Sequence, residues 1–168
     1  MALRATLLSA LIGCLAVAGS PAVARAPGRQ GMTLTSRGES VIATQGSYCG
    51  PAAQAGANLC ADYGYPLRVS CKLPVKRGGR VAIRTETPAT ALTASLIGPD
   101  PQAPGKRLRK APGGGGGADG MRWKFKLPSR TRDYAAIDAF ARYTTGGDSD
   151  TWTGLATGAC RGSDFSKP

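Results

Sequence analysis

Met121-Arg122-Trp123-Lys124-Phe125-Lys126-Leu127 alternates without exception between apolar and basic residues, and Pro128 closes the run. In an extended chain successive side chains point to opposite faces, so Met121, Trp123, Phe125 and Leu127 share one face and Arg122, Lys124 and Lys126 the other. Around a helix the same apolar residues would scatter. The segment therefore reads as a strand in an antiparallel sheet with one buried face. Shorter β-prone runs recur at Ser40 to Thr44, Leu67 to Cys71, Arg80 to Thr85, Leu92 to Ile97 and Thr151 to Leu155. With 24 glycines and 12 prolines among 168 residues, the intervals between them are broken too often to hold a long helix. Lys76-Arg77-Gly78-Gly79 is a turn between two such runs, and Thr144 to Asp148 is another. Asp133 to Tyr143 stays open: Ala135, Ile137, Ala139, Ala141 and Tyr143 line one face of a strand, but its alanines also suit a helix. The expected fold class is all-β, an immunoglobulin-like sandwich of short antiparallel strands.

The N-terminus has a different character. Met1 to Arg4 form a short positive region, Ala5 to Ala18 are almost all apolar or small, and Ala22-Val23-Ala24 is a small-residue cleavage site. Residues 1–24 thus read as a secretory signal peptide, too short in its apolar part to span a bilayer, and no second such run follows. Leu11-Ile12-Gly13-Cys14 also resembles a bacterial lipobox, which would tether the product at the cell surface through Cys14. After the signal, residues 25–38 are rich in Arg, Gly, Pro and Ser and read as a flexible leader. The sandwich is expected over residues 39–162, interrupted by a flexible loop at 98–120 that contains the glycine run Gly113 to Gly117, and residues 163–168 form a tail.

Without Cys14 the cysteines are Cys49, Cys60, Cys71 and Cys160, an even number that suits an oxidising compartment. Of the three connectivities open to four cysteines, we favour Cys49 with Cys60 as a local clasp and Cys71 with Cys160 across the domain. A zinc site is disfavoured, because there is no C-x-x-C pair and no histidine. No cofactor is expected.

Charge narrows the partners. The chain has 22 Lys and Arg against 10 Asp and Glu, a formal charge of +12, and the signal segment carries only Arg4. Outside the cytoplasm such a bias suits an anionic wall or surface polymer, or another exported protein, with attraction that weakens in salt. Nucleic acid is disfavoured by compartment. The candidate binding residues are Arg122, Lys124 and Lys126, extended by Arg80 and Arg84 if their strands are neighbours; a merely solvated sheet face is the plainer reading of the same alternation. Lys106-Arg107-Leu108-Arg109-Lys110 reads as a solvated loop between Pro-rich and Gly-rich stretches.

Catalysis finds little footing, since no histidine is present to act as a general base near neutral pH. Asp133, Asp138, Asp148 and Asp150 are the only candidate acid/base carboxylates, and all read more simply as solvated turn and strand residues. Asp148-Ser149-Asp150 is expected to cap a turn and lacks the further ligands of a calcium loop.

Gln45-Gly46-Ser47-Tyr48-Cys49, followed by Cys60-Ala61-Asp62-Tyr63, resembles a short signature of small exported bacterial proteins of unknown function. Their C-terminal halves are similar too: an aromatic strand ending in Leu-Pro, here Trp123 to Pro128, precedes a strand, a Gly-Asp turn and a final strand, here Asp133 to Leu155. The resemblance implies an immunoglobulin-like fold and a paired Cys49 and Cys60, and no activity. This chain departs from it in Gly50, a position usually aromatic there, and in having Cys71 and Cys160. The functional expectation is a non-catalytic, secreted or envelope-associated binding protein. The alternative is a secreted protease inhibitor that presents the loop closed by Cys49 and Cys60, beside which Tyr48, Tyr63, Tyr65 and Pro66 cluster in sequence.

Overall fold

The computed structural model describes residues 31–51, 57–62, 71–100 and 102–157. Every regular element among them is a strand. In chain order these are β1 (Met32–Ser36), β2 (Glu39–Ile42), β3 (Thr44–Pro51), β4 (Asn58–Ala61), β5 (Cys71–Leu73), β6 (Arg80–Thr85), β7 (Ala89–Ile97), β8 (Lys106–Arg107), β9 (Arg109–Lys110), β10 (Arg122–Lys126), β11 (Ala136–Tyr143) and β12 (Asp148–Leu155). They form two sheets. The first runs β2-β1-β6-β10-β9; the second runs β4-β3-β12-β11-β7-β8, with β5 added alongside β12 as the one parallel neighbour.

The chain is thus an all-β sandwich of immunoglobulin-like architecture, and alternation explains which faces meet. In β10 Trp123 and Phe125 are buried while Arg122, Lys124 and Lys126 are exposed. Leu34 and Ile83 of the first sheet share a single core with Leu92, Leu96, Ile137 and Leu155 of the second. The ambiguous segment before Tyr143 is a strand: β11 is hydrogen-bonded on both sides, and its Ile137, Ala139, Ala141 and Tyr143 lie on the buried face. A helix there would break two ladders of backbone hydrogen bonds and turn that apolar stripe out of the core.

Two sequence expectations are corrected. Residues 32–36 do not belong to a flexible leader, because β1 is an inner strand of the first sheet and buries Met32, Leu34 and Ser36. Its alternation is muted by Ser and Thr, and its partner β2 begins only after a tight turn at Arg37 and Gly38, with φ of 54° and 82°. The run at 76–79 is a turn between two strands, as expected, with the Gly79 N–H donating to Lys76 O at 2.9 Å. It arches between sheets, since β5 pairs with β12 while β6 pairs with β1 and β10. Residues 98–120 are not uniformly loop: β8 closes one edge of the second sheet and β9 one edge of the first. The glycine run is folded against β10, with Lys124 N–H donating to Gly114 O at 3.0 Å and Arg122 N–H to Gly116 O at 2.8 Å. Gly114 has no room for a side chain there, because a Cβ would collide with the carbonyl oxygens of Lys124 and Ala111.

Cys49 and Cys60 stand opposite each other on β3 and β4 and form a disulfide. The second expected bridge is not described, since Cys160 lies outside the described residues; the backbone of Cys71 pairs with Gly154. The expected signal peptide, Cys14 and the tail at 163–168 also lie outside them. Among the described residues no helix is long and apolar enough to cross a membrane.

Candidate functional site

Strand register decides whether the basic residues act together. β6 and β10 pair antiparallel with Arg84 opposite Arg122, Ala82 opposite Lys124 and Arg80 opposite Lys126. Directly opposed residues project from the same face of a sheet, so all five expected binding residues fall on the outer face of the first sheet. All five are exposed. β9 continues the pattern, since Arg109 pairs with Lys126. One row across three strands therefore reads Arg80, Lys126, Arg109, and a second reads Thr33, Arg84, Arg122. Along β10 the three cations repeat every two residues, about 6.8 Å apart.

This arrangement opposes the sheet's own stability. Like charges directly opposite one another are unfavourable, by about 0.2–1 kcal/mol per pair. Carboxylates scarcely relieve it: among the described residues the ion pair at this face is Arg122 with Asp119, at 3.5 Å. Asp119 Oδ1 also accepts the Met121 N–H at 3.0 Å, which fixes it at the end of the glycine turn. Lys110 behaves differently from its neighbours. It pairs with inward-facing Phe125 and lays its ammonium over the ring of Trp123, 4.5 Å from the centroid.

The basic row runs into a cleft of about 590 Å³, lined by Lys106, Arg107, Arg109 and Lys126 above Leu108 and Leu127. Sequence reasoning missed this feature by reading residues 106–110 as solvated loop. At Leu108 the chain crosses from one sheet to the other: the Leu108 N–H donates to Ala94 O of β7 at 2.8 Å, and the Ala111 N–H donates to Lys124 O of β10 at 2.8 Å. Leu108 itself is buried. The signal was a single apolar residue set between two basic pairs, a short version of the alternation at 121–127.

Three carboxylates, Asp62, Asp148 and Asp150, gather at the second sheet. Asp148 and Asp150 lie on β12 rather than in a turn, with Ser149 between them buried and hydrogen-bonded to Tyr143 Oη at 2.8 Å. With Asp62, Tyr48 and Phe140 they line a depression of about 210 Å³ beside the disulfide, where Ser47 Oγ donates to Asp62 at 2.7 Å. Asp138 lies diagonally across from Asp150, between Ser95 of β7 and Trp152 of β12. Its Oδ1 is fully buried and unbonded among the described residues. Burial, and then the nearby charge of Asp150, push its carboxyl up to about 7. Burial also raises the Asp150 carboxyl, against hydrogen bonds from Trp152 and from backbone at Asp150 and Ser47. The expectation that these aspartates are simply solvated is corrected for Asp138 and Asp150. Asp133 is elsewhere, exposed and 3.7 Å from Arg132. Among the described residues no group of three or more potential ligands is placed to hold a metal ion.

Of the loop closed by Cys49 and Cys60, residues 52–56 lie outside the described residues, as do Tyr63, Tyr65 and Pro66. Comparison of the chain with protein-family models, with curated proteins and with solved structures finds no match.

Proposed function

We propose that this protein is an exported, non-catalytic binding domain that holds an anionic polymer of the cell envelope on the outer face of its first sheet. The observation that carries the reading is the register that sets Arg84 against Arg122 and aligns Arg80, Lys126 and Arg109 in one row. Such a row costs stability in the free protein and gains it back only when an anion lies across it. A flat, exposed grid of cations repeating at strand spacing suits an extended polyanion, whose charges also repeat along a chain. Guanidinium forks at Arg80, Arg84, Arg109 and Arg122 favour carboxylate or phosphate groups, which they grip with two parallel hydrogen bonds. Export is supported by the signal-like residues 1–24 and by a disulfide that persists only under oxidising conditions. A chain without histidine, with five cations aligned on one sheet face, is better suited to holding a polymer than to cleaving it.

The test is binding of the purified protein to its own envelope fraction and to polygalacturonate across a salt series, beside a variant with Arg122, Lys124 and Lys126 changed to Glu. The expected result is binding by the parent protein that fades with salt and is abolished in the variant. Equal binding by both proteins, or none by either, would refute the proposal.

A further inference from the structure

The cleft at the end of the basic row is a different kind of site from the flat face. Its cations come from three strands and both sheets: Lys106 and Arg107 from β8, Arg109 from β9, Lys126 from β10. No carboxylate lines it among the described residues. Arg107 and Arg109 flank a residue that is fixed from both directions, since Leu108 is buried, its N–H is bonded to one sheet, and the chain is bonded to the other three residues later. The two side chains therefore start from anchored backbone, and because Arg107 pairs with Ser95 while Arg109 pairs with Lys126, they come from opposite sheets and both line the cleft. A volume of about 590 Å³ lies within the range of small-molecule sites.

The charge balance selects the ligand class. One carboxylate occupies one arginine fork and leaves three of the lining cations uncompensated. A ligand with two or more phosphate groups offers oxygens to both forks and compensates both lysines, each phosphate matching guanidinium geometry with two parallel bonds. We propose that this cleft is a binding site for a polyphosphorylated ligand, either a free small molecule or the phosphorylated end of a longer chain. The site shares Arg109 and Lys126 with the end of the flat face's row, adds Lys106 and Arg107 to them, and does not require that face to bind a polymer.

The experiment is calorimetric titration of the purified protein with tripolyphosphate, orthophosphate and citrate at physiological salt. It is repeated with Arg107→Ser/Arg109→Ser and with Arg84→Ser/Arg122→Ser. All four positions are exposed, and thermal unfolding verifies that each variant is folded. Tripolyphosphate is expected to bind with a stoichiometry of about one and at least about tenfold more tightly than orthophosphate or citrate. The first variant should lose at least about tenfold of that affinity, while the second stays within about twofold of the parent. Citrate binding as tightly as tripolyphosphate, equal losses in the two variants, or no saturable binding would overturn the proposal. Polygalacturonate binding measured on the same proteins separates this inference from the functional reading. Polymer binding that fails while tripolyphosphate still binds refutes only the flat face, and the reverse refutes only the cleft. Competition of tripolyphosphate against the envelope fraction then assigns the phosphate to a polymer end, and its failure to compete assigns it to a free ligand.

Discussion

Arg84 and Arg122 stand directly opposite each other on the outer face of two adjacent antiparallel strands, where a sheet shaped by stability alone would set a cation against a carboxylate. Replacing one partner tests what the pair is for. Arg84→Glu should raise the urea midpoint of the purified protein by the equivalent of about 0.2–1 kcal/mol, because it turns a repulsive cross-strand pair into an attractive one. The same variant should bind polygalacturonate more weakly. A lower midpoint would mean that Arg84 is held by a favourable contact.

Asp138 predicts an unusual pH dependence. Its carboxyl titrates at about 7 in the folded protein, against a usual value near 3.8, so between those two pH values the folded state holds a proton that the unfolded chain has released. The associated stability is complete below about pH 4, declines as pH rises through 7, and then levels off. The change is on the order of a few kcal/mol. Urea unfolding from pH 4 to 8 should show this fall, and Asp138→Asn, which keeps the shape without the charge, should flatten most of it. A parent profile that is level or rising over that range would contradict the prediction.

The glycine turn makes a graded prediction. At Gly114 an added methyl group meets two backbone carbonyls, whereas at Gly113 it meets open space but must adopt a φ of 65°. Gly113→Ala should cost about 1–2 kcal/mol, the usual penalty for a left-handed L-residue. Gly114→Ala should cost more, because β10 or the turn must move. Thermal unfolding of the two single variants reads the order directly.

Leu108→Ala should destabilise the fold by about 2–5 kcal/mol, the range for truncating a buried leucine. It should also weaken tripolyphosphate binding even under conditions where the variant is fully folded, because Arg107 and Arg109 lose the anchored residue between them. Unchanged affinity in a folded Leu108→Ala protein would show that the arginines are positioned independently of the crossing.

Legibility in the sequence followed the strength of alternation. Residues 121–127 carry bulky apolar side chains on one face, so both the strand and its exposed cations could be read directly, and the same logic placed β6 and most of β7, while in β11 it left strand and helix open because the stripe is built largely of alanine. β1 escaped because threonine and serine occupy the positions that should contrast with Met32 and Leu34. The cleft escaped because its strands are two residues each, shorter than any period can reveal, and are defined by partners far away in sequence. The burial of Asp138 was equally hidden, since an aspartate flanked by Ile137 and Ala139 reads as outward-facing, and nothing local states that the outward face at that point is enclosed.

The crossing at Leu108 ties ligand size to core volume. Arg107 belongs to one sheet and Arg109 to the other, so the separation of the strands that carry them depends on how far apart the sheets are held, about 10 Å in a sandwich of this kind. Side chains such as Phe125 and Leu96, neither of which lines the cleft, work as spacers that calibrate its jaws. Thinning or thickening that packing by a methylene or two would retune which anion fits at the rim without altering a single charged residue.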